Sequence, residues 1–149
     1  MFKLNEEFVN KFQLNRLVVE FVGSWIISLR PQQPTIGSLV LTLNRECNRF
    51  GGITELEAID LAKAFKRVEL LLGNSFKPQK INYLALMMVD NQVHYHIIPR
   101  YESPVLLAGI KYYDKTWPKP PSLDPLELSD SSLEMIHSLF TSFSQNIST

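Results

Sequence analysis

Between Thr54 and Asn74 the apolar residues change rhythm: Leu56, Ile59, Ala62, Phe65, Val68 and Leu72 recur at three- and four-residue intervals. That spacing gathers side chains on one side of an α-helix, so the stretch reads as a helix with one buried stripe. Thr54 followed by Glu57 is a capping-box start, and Gly73-Asn74 can supply a left-handed stop. A lone helix cannot bury its own stripe, and the chain around it favours β structure. Leu17 to Val22 and Trp25 to Leu29 are β-branched and aromatic runs separated by Gly23-Ser24, a pair suited to a tight hairpin. Regular structure breaks at Arg30 to Gly37, where Pro31 and Pro34 lack backbone donors, and Ser38 to Leu43 reads as the next strand. Gln79 to Val89 and Gln92 to Arg100 are two further β-favouring runs, joined by a hairpin turn at Asp90-Asn91. Strand, strand, strand, helix, strand, strand predicts an α+β fold: a five-stranded antiparallel sheet with one main helix packed against it.

Beyond Tyr101 the chain turns Pro-rich, with Pro104, Pro118, Pro120, Pro121 and Pro125, which predicts an extended wrap over the surface closed by a short helix from Ser131 to Phe143. At 149 residues and 45% hydrophobic content, one core and one domain (1–149) are expected, with the core at about 17–101 and an extension at about 102–149. Fifteen Lys plus Arg balance fifteen Asp plus Glu, so no net field draws the protein to nucleic acid or to an anionic membrane. No apolar run approaches the roughly 20 residues that cross a bilayer. The lone Cys47 forms no internal disulfide, and the start Met1-Phe2-Lys3-Leu4-Asn5-Glu6-Glu7 lacks the order of a secretory signal, so the cytoplasm is the expected compartment.

The chemistry concentrates in Gln92-Val93-His94-Tyr95-His96-Ile97-Ile98. A period of two puts Gln92, His94 and His96 on one sheet face and Val93, Tyr95 and Ile97 on the other. Imidazole titrates at about 6.5, so near neutrality one ring can be a nucleophile while its neighbour serves as hydrogen-bond donor. Attack by a ring nitrogen on an α-phosphorus would give a phosphoramidate intermediate and split one displacement into two.

Those residues carry a family likeness. Asn82 to Tyr101 resembles the signature strand pair of the histidine triad superfamily, and the likeness extends back through Pro34-Thr35-Ile36-Gly37-Ser38-Leu39-Val40-Leu41, covering about residues 17–101. The family pattern is His-φ-His-φ-His-φ-φ, φ being hydrophobic. The resemblance implies that His94 is the nucleophile and that His96 contacts phosphate and helps the leaving group. Gln92 replaces the first histidine, as in bacterial members resembling diadenosine polyphosphate hydrolases, and can hydrogen-bond to phosphate without carrying a proton. Asn82 matches a family asparagine, and Trp117-Pro118 resembles a pair found downstream in bacterial members. Ser38 stands where many relatives have a histidine after the glycine, and Arg30 stands where Asp or Asn often meets the ribose. The resemblance implies a nucleotide-type substrate and a homodimer whose sheets join; no cofactor is expected.

Bland readings stand beside these. Arg100 is either a phosphate ligand or a solvated strand end, Arg30 a ligand contact or a loop residue in water, and Trp117 a plug for the tail or part of the site. Met87 and Met88 read as strand packing. His137 has no companion and reads as structural; Cys47 reads as inert. His-x-His also serves metal sites, but these need a third and usually a fourth ligand, and only Glu102 and His137 are on offer, so no metal is expected. Without a Gly-Lys-Ser run, the loop at 30–37 is no P-loop. The function expected is that of a nucleotide hydrolase or nucleotidyltransferase. The alternative is a binding or regulatory protein that lost turnover.

Overall fold

A computed structural model describes residues 1–147. Strands β1 (Val18–Val22), β2 (Trp25–Leu29), β3 (Leu39–Leu43), β4 (Lys80–Leu84) and β5 (His94–Arg100) form one antiparallel sheet in the order β1-β2-β3-β5-β4. Helices α1 (Glu6–Lys11) and α2 (Leu14–Leu17) precede it, α3 (Glu55–Asn74) lies between β3 and β4, and α4 (Asp130–Asn146) follows a small hairpin of β6 (Val105–Leu107) and β7 (Ile110–Tyr112). This is the expected α+β class, with the five-stranded sheet and the main helix in their expected places.

The β1–β2 turn holds because Gly23 adopts φ 55, and a Cβ there would meet the Asp60 carboxylate at 2.3 Å. Asp60 accepts hydrogen bonds from the Ser24 amide and hydroxyl, both at 2.9 Å, which clamps the hairpin to α3. Both halves of the Thr54–Glu57 capping box are made. The stripe of α3 is phased differently from expectation, for Leu56, Ile59 and Ala62 are exposed, and Ala64, Val68, Leu71 and Leu72 are buried. In the first turn the inward position belongs to Glu57, paired with Arg45 at 2.8 Å, while its carbonyl accepts from the Trp25 indole at 2.8 Å. That anchor rotates Leu56 into solvent. Burial of Val68, Leu71 and Leu72 contributes roughly 1.5–3 kcal/mol each, so a charged residue at Leu71 would undock the helix.

The sheet is covered on both faces. One face packs Trp25, Ile27, Leu29, Leu39, Leu41 and Ile97 against α3 and α4. The other packs Ile26 and Val40 against Phe8, Val9, Phe12 and Leu14 of the N-terminal segment, which lies outside the core bounds read from the sequence. α4 is longer than expected, and its His137 donates from Nε2 to the Val18 carbonyl at 2.7 Å, a structural tie.

One expected strand is shorter. The run from Gln79 to Val89 stops pairing at Leu84, and residues 85–93 form a loop instead of a tight hairpin. Met87 sits at φ 55, a left-handed conformation in which a non-glycine residue ends a strand, and Met88 is 84% exposed, so neither is strand packing. Among the described residues no helix is long and apolar enough to cross a membrane.

Candidate active site

Alternation along β5 turns His94 and His96 toward the N-terminal segment. Phe8 meets the His94 ring edge-on at 5.4 Å, and Phe12 lies 5.8 Å from His94 and 6.3 Å from His96. His94 is 2% exposed and His96 8%. Both still open onto a cleft of about 390 Å³. Its walls are apolar where Phe12, Pro31, Met87 and Leu123 meet, and charged where Lys11, Arg30 and Asp90 do. Lys11 and Asp90 pair across it at 2.7 Å.

Hydrogen-bond polarity assigns the protons of the pair. The Gln92 carbonyl can only accept, so the 2.5 Å contact requires a hydrogen on His94 Nδ1. Arg30 Nε can only donate, so His96 Nδ1, at 3.4 Å, must be the bare nitrogen of its ring. It follows that His96 Nε2 carries its hydrogen and donates to the unprotonated His94 Nε2 at 3.2 Å. Burial lowers the affinity of both rings for a second proton, and the neighbouring His94 and Arg30 add to the effect at His96, which is held down to about 4. Both imidazoles are therefore neutral near pH 7. The result is an unprotonated ring nitrogen whose electron pair accepts the N–H of its neighbour, with a cleft beside them.

Not every residue singled out in the sequence comes to this cleft. Arg30 does. Gln92 contributes its backbone carbonyl; its side-chain amide donates to the Leu43 and Arg45 carbonyls at 3.0 and 2.7 Å and accepts from the Cys47 amide at 3.3 Å, which leaves it no capacity for phosphate. Ser38 is buried in its own loop, donating to the Thr35 carbonyl at 2.8 Å. Arg100, Asn82 and Trp117 form a separate cluster. The Arg100 guanidinium is paired with Asp114 at 2.7 Å, donates to Asn82 Oδ1 at 2.8 Å and to the Lys119 carbonyl at 2.7 Å, and sits 6.0 Å from the Trp117 ring. Arg100 is thus no solvated strand end; it is buried away from the cleft and pins the tail to the sheet.

The sequence reading passed over Phe8, Lys11, Phe12 and Asp90. A signal for the first three exists: Asn5 caps Glu6-Glu7, and Phe8 and Phe12 stand one helical turn apart. Among the described residues, no group of three or more His, Cys, Asp or Glu side chains is placed to hold a metal ion.

No protein-family model matches the chain. The protein transport protein SEC24 of Yarrowia lipolytica is 27% identical over 136 residues, which is 91% of this chain and 14% of that protein's length. Solved structures are more informative. A histidine triad protein from Bradyrhizobium japonicum superposes with a TM-score of 0.69 at 18% identity, covering 93% of this chain and 95% of that one. A histidine triad protein from Sinorhizobium meliloti gives 0.68 at 21% identity, covering 98% and 96%. The diadenosine triphosphate hydrolase of Plasmodium falciparum, solved with cyclomarin A, gives 0.63 at 16% identity, covering 88% and 78%. The fold is that of histidine triad proteins.

Proposed function

We propose that the protein is a nucleotide hydrolase or nucleotidyltransferase, acting on the α-phosphate of a dinucleoside polyphosphate or related nucleotide conjugate through a nucleotidyl-His94 intermediate. The observation that carries this is the proton arrangement of the pair, which leaves His94 Nε2 as a neutral nucleophile at the head of a cleft. When an α-phosphate enters, the His96 N–H turns from His94 to a phosphate oxygen, and the freed Nε2 pair forms the N–P bond as the bond from phosphorus to the leaving group breaks. The ring keeps its Nδ1 hydrogen and becomes cationic, and the Gln92 carbonyl stabilises that charge. Water then adds to phosphorus, the N–P bond returns its electrons to Nε2, and one water proton passes to solvent. Lys11 and Arg30 suit the phosphates, and the apolar walls suit a base.

In this reading residues 1–149 act as one domain in a cytoplasmic homodimer whose sheets join, without a cofactor. Sedimentation of the pure protein tests the dimer. Incubation with diadenosine polyphosphates and adenosine phosphoramidates, followed by rapid quench and mass spectrometry, tests the chemistry. A nucleotidyl adduct on wild type that is absent from His94→Ala is the expected result.

A second reading, a nucleotide-binding or regulatory protein without turnover, is favoured by the near-complete burial of His94 beneath Phe8 and Phe12. Tight mononucleotide binding with no adduct would select it.

A further inference from the structure

The geometry points to Arg30 as a residue that decides which leaving groups the site can expel: by donating from Nε to His96 Nδ1 it fixes His96 as a hydrogen-bond donor that cannot give up a proton, so leaving groups that depart as anions are favoured over amines. This rests on the proposed nucleotidyl transfer and adds a selectivity to it.

With Nδ1 bare and Nε2 protonated, His96 is already neutral, and surrendering the Nε2 hydrogen would make an imidazolate. To act as an acid it must first take a proton at Nδ1, where an N–H of Arg30 already points. Arg30 cannot yield, because its guanidinium has no acceptor and stays protonated in proteins. Its other anchor, donation from Nη1 to the Gln32 carbonyl at 2.6 Å, holds the fork against the loop.

Leaving groups differ in what they need. When an oxygen of a polyphosphate departs from the α-phosphorus, it carries the bonding pair away as a phosphate anion, a species stable near neutrality because phosphate monoesters ionise at about pH 6. The His96 N–H need only hydrogen-bond to it. When an amine departs from a phosphoramidate, the broken P–N bond leaves its electrons on nitrogen, which needs a proton in the same step. His96 in this tautomer has none to give. The cleft charge agrees, with Lys11 and Arg30 facing a single Asp90 across neutral imidazoles, an environment for polyanions.

The test has a readout without substrate and one with it. Nitrogen-15 spectra of histidine-labelled wild type should show a bare Nδ1 on His96 from pH 8 to pH 6; in Arg30→Gln protonation at Nδ1 should set in at a higher pH than in wild type, burial still opposing it. Lys11, Asp90 and His94 also face that ring and are unchanged between the two proteins. In turnover, wild type should prefer diadenosine tetraphosphate to adenosine 5′-phosphoramidate. Arg30→Gln should shift the kcat/KM ratio about tenfold toward the phosphoramidate, with a rate that rises as pH falls. Arg30→Lys, also donor-only, should keep the wild-type preference. A protonated Nδ1 in wild type, or a ratio unmoved in Arg30→Gln, overturns the inference while leaving the nucleotidyl transfer standing. Absence of an adduct from both substrates overturns the transfer itself, and the selectivity with it.

Discussion

The two ends of β5 carry polar side chains on the same face, His94 and His96 at one and Arg100 four residues further at the other, yet they meet opposite fates. At the first end, His94 and His96 are joined to each other by a 3.2 Å contact that a substrate can take over, and they open onto a cleft. At the other, Arg100 is 4% exposed with its donors committed to Asp114, Asn82, Thr116 and the Lys119 carbonyl. What separates them is the origin of the neighbours. The imidazoles are surrounded by the N-terminal helices and by loops, which leave space between them, whereas Arg100 receives a tail segment that supplies Asp114, Thr116 and the Lys119 carbonyl as acceptors. The same alternation therefore yields a site where the covering chain comes short of closing and a pin where it closes.

The sharpest way to break that contrast is to remove the pin. Arg100→Ala leaves the Asp114 carboxylate, whose side chain is 2% exposed, buried without its counter-charge. Losing one partner of a buried pair costs about 3–5 kcal/mol, so urea unfolding should show a loss of that order. Adduct formation per folded molecule should stay at the wild-type level, because Arg100 does not line the cleft. A variant of unchanged stability that forms no adduct would reverse the assignment of the two ends.

The histidine end should instead reveal itself through pH. His96 accepts a proton less readily folded than unfolded, with its value lowered from 6.5 to about 4, and His94 is shifted in the same direction. Below about pH 6.5 the unfolded chain thus binds more protons than the native one, and stability falls with pH through that window; above pH 7 the contribution is full and flat. The melting temperature should drop by several degrees from pH 7 to pH 5, and His96→Gln should flatten the slope. A wild-type melting temperature that does not change over this range would mean that the rings are solvated.

Lys11 gives a smaller, kinetic test. It sits on α1 at the cleft and pairs with Asp90, an arrangement half-open to water and therefore weak in its own right. Lys11→Gln should raise KM for a polyphosphate by up to about tenfold with kcat unchanged, the pattern of binding lost equally in ground and transition states. Equal KM values would place the phosphates elsewhere.

How much of this was legible follows from how far apart the partners lie. The Gly23-Ser24 hairpin, the Thr54–Glu57 box and the shared face of His94 and His96 were readable because each depends on residues within a few positions. The partners of Arg100 come from 14 to 19 residues downstream, with Asn82 18 residues upstream, so the residue alone gave no sign of its role in pinning the tail. Ala85 to Val89 read as strand because its residues are apolar, yet Leu86, Met87, Met88 and Val89 serve the cleft as a wall, a use that carries no periodicity. The helix stripe slipped in phase because Glu57, a charged residue, takes the inward position through Arg45. The N-terminal helices were passed over since α1 has six residues and Gln13, at φ 52, interrupts the helical pattern before α2.

Ser38 lies between the two ends and makes the finest test of the comparison. The resemblance implied a place for it near the substrate, whereas its hydroxyl donates to the Thr35 carbonyl at 2.8 Å and Thr35 in turn donates to the Pro99 carbonyl of β5 at 2.6 Å. It thus braces the loop that leads to Arg30 without reaching the cleft. Ser38→Ala removes the hydroxyl's donation to the Thr35 carbonyl and its weaker contacts with the Thr35 amide and hydroxyl at 3.4 and 3.1 Å, all local to the loop, and the Gln33 side chain still accepts from the Gly37 and Ser38 amides at 2.8 and 3.1 Å. The expected cost is about 1 kcal/mol in urea unfolding. KM and kcat for the polyphosphate should be those of wild type, because Arg30 keeps its own bonds to Gln32 and His96. A rise in KM without loss of stability would return Ser38 to the substrate; a fall in kcat with the stability loss would mean that this loop sets the Arg30 guanidinium against His96, and that the polar end of β5 is positioned from its middle.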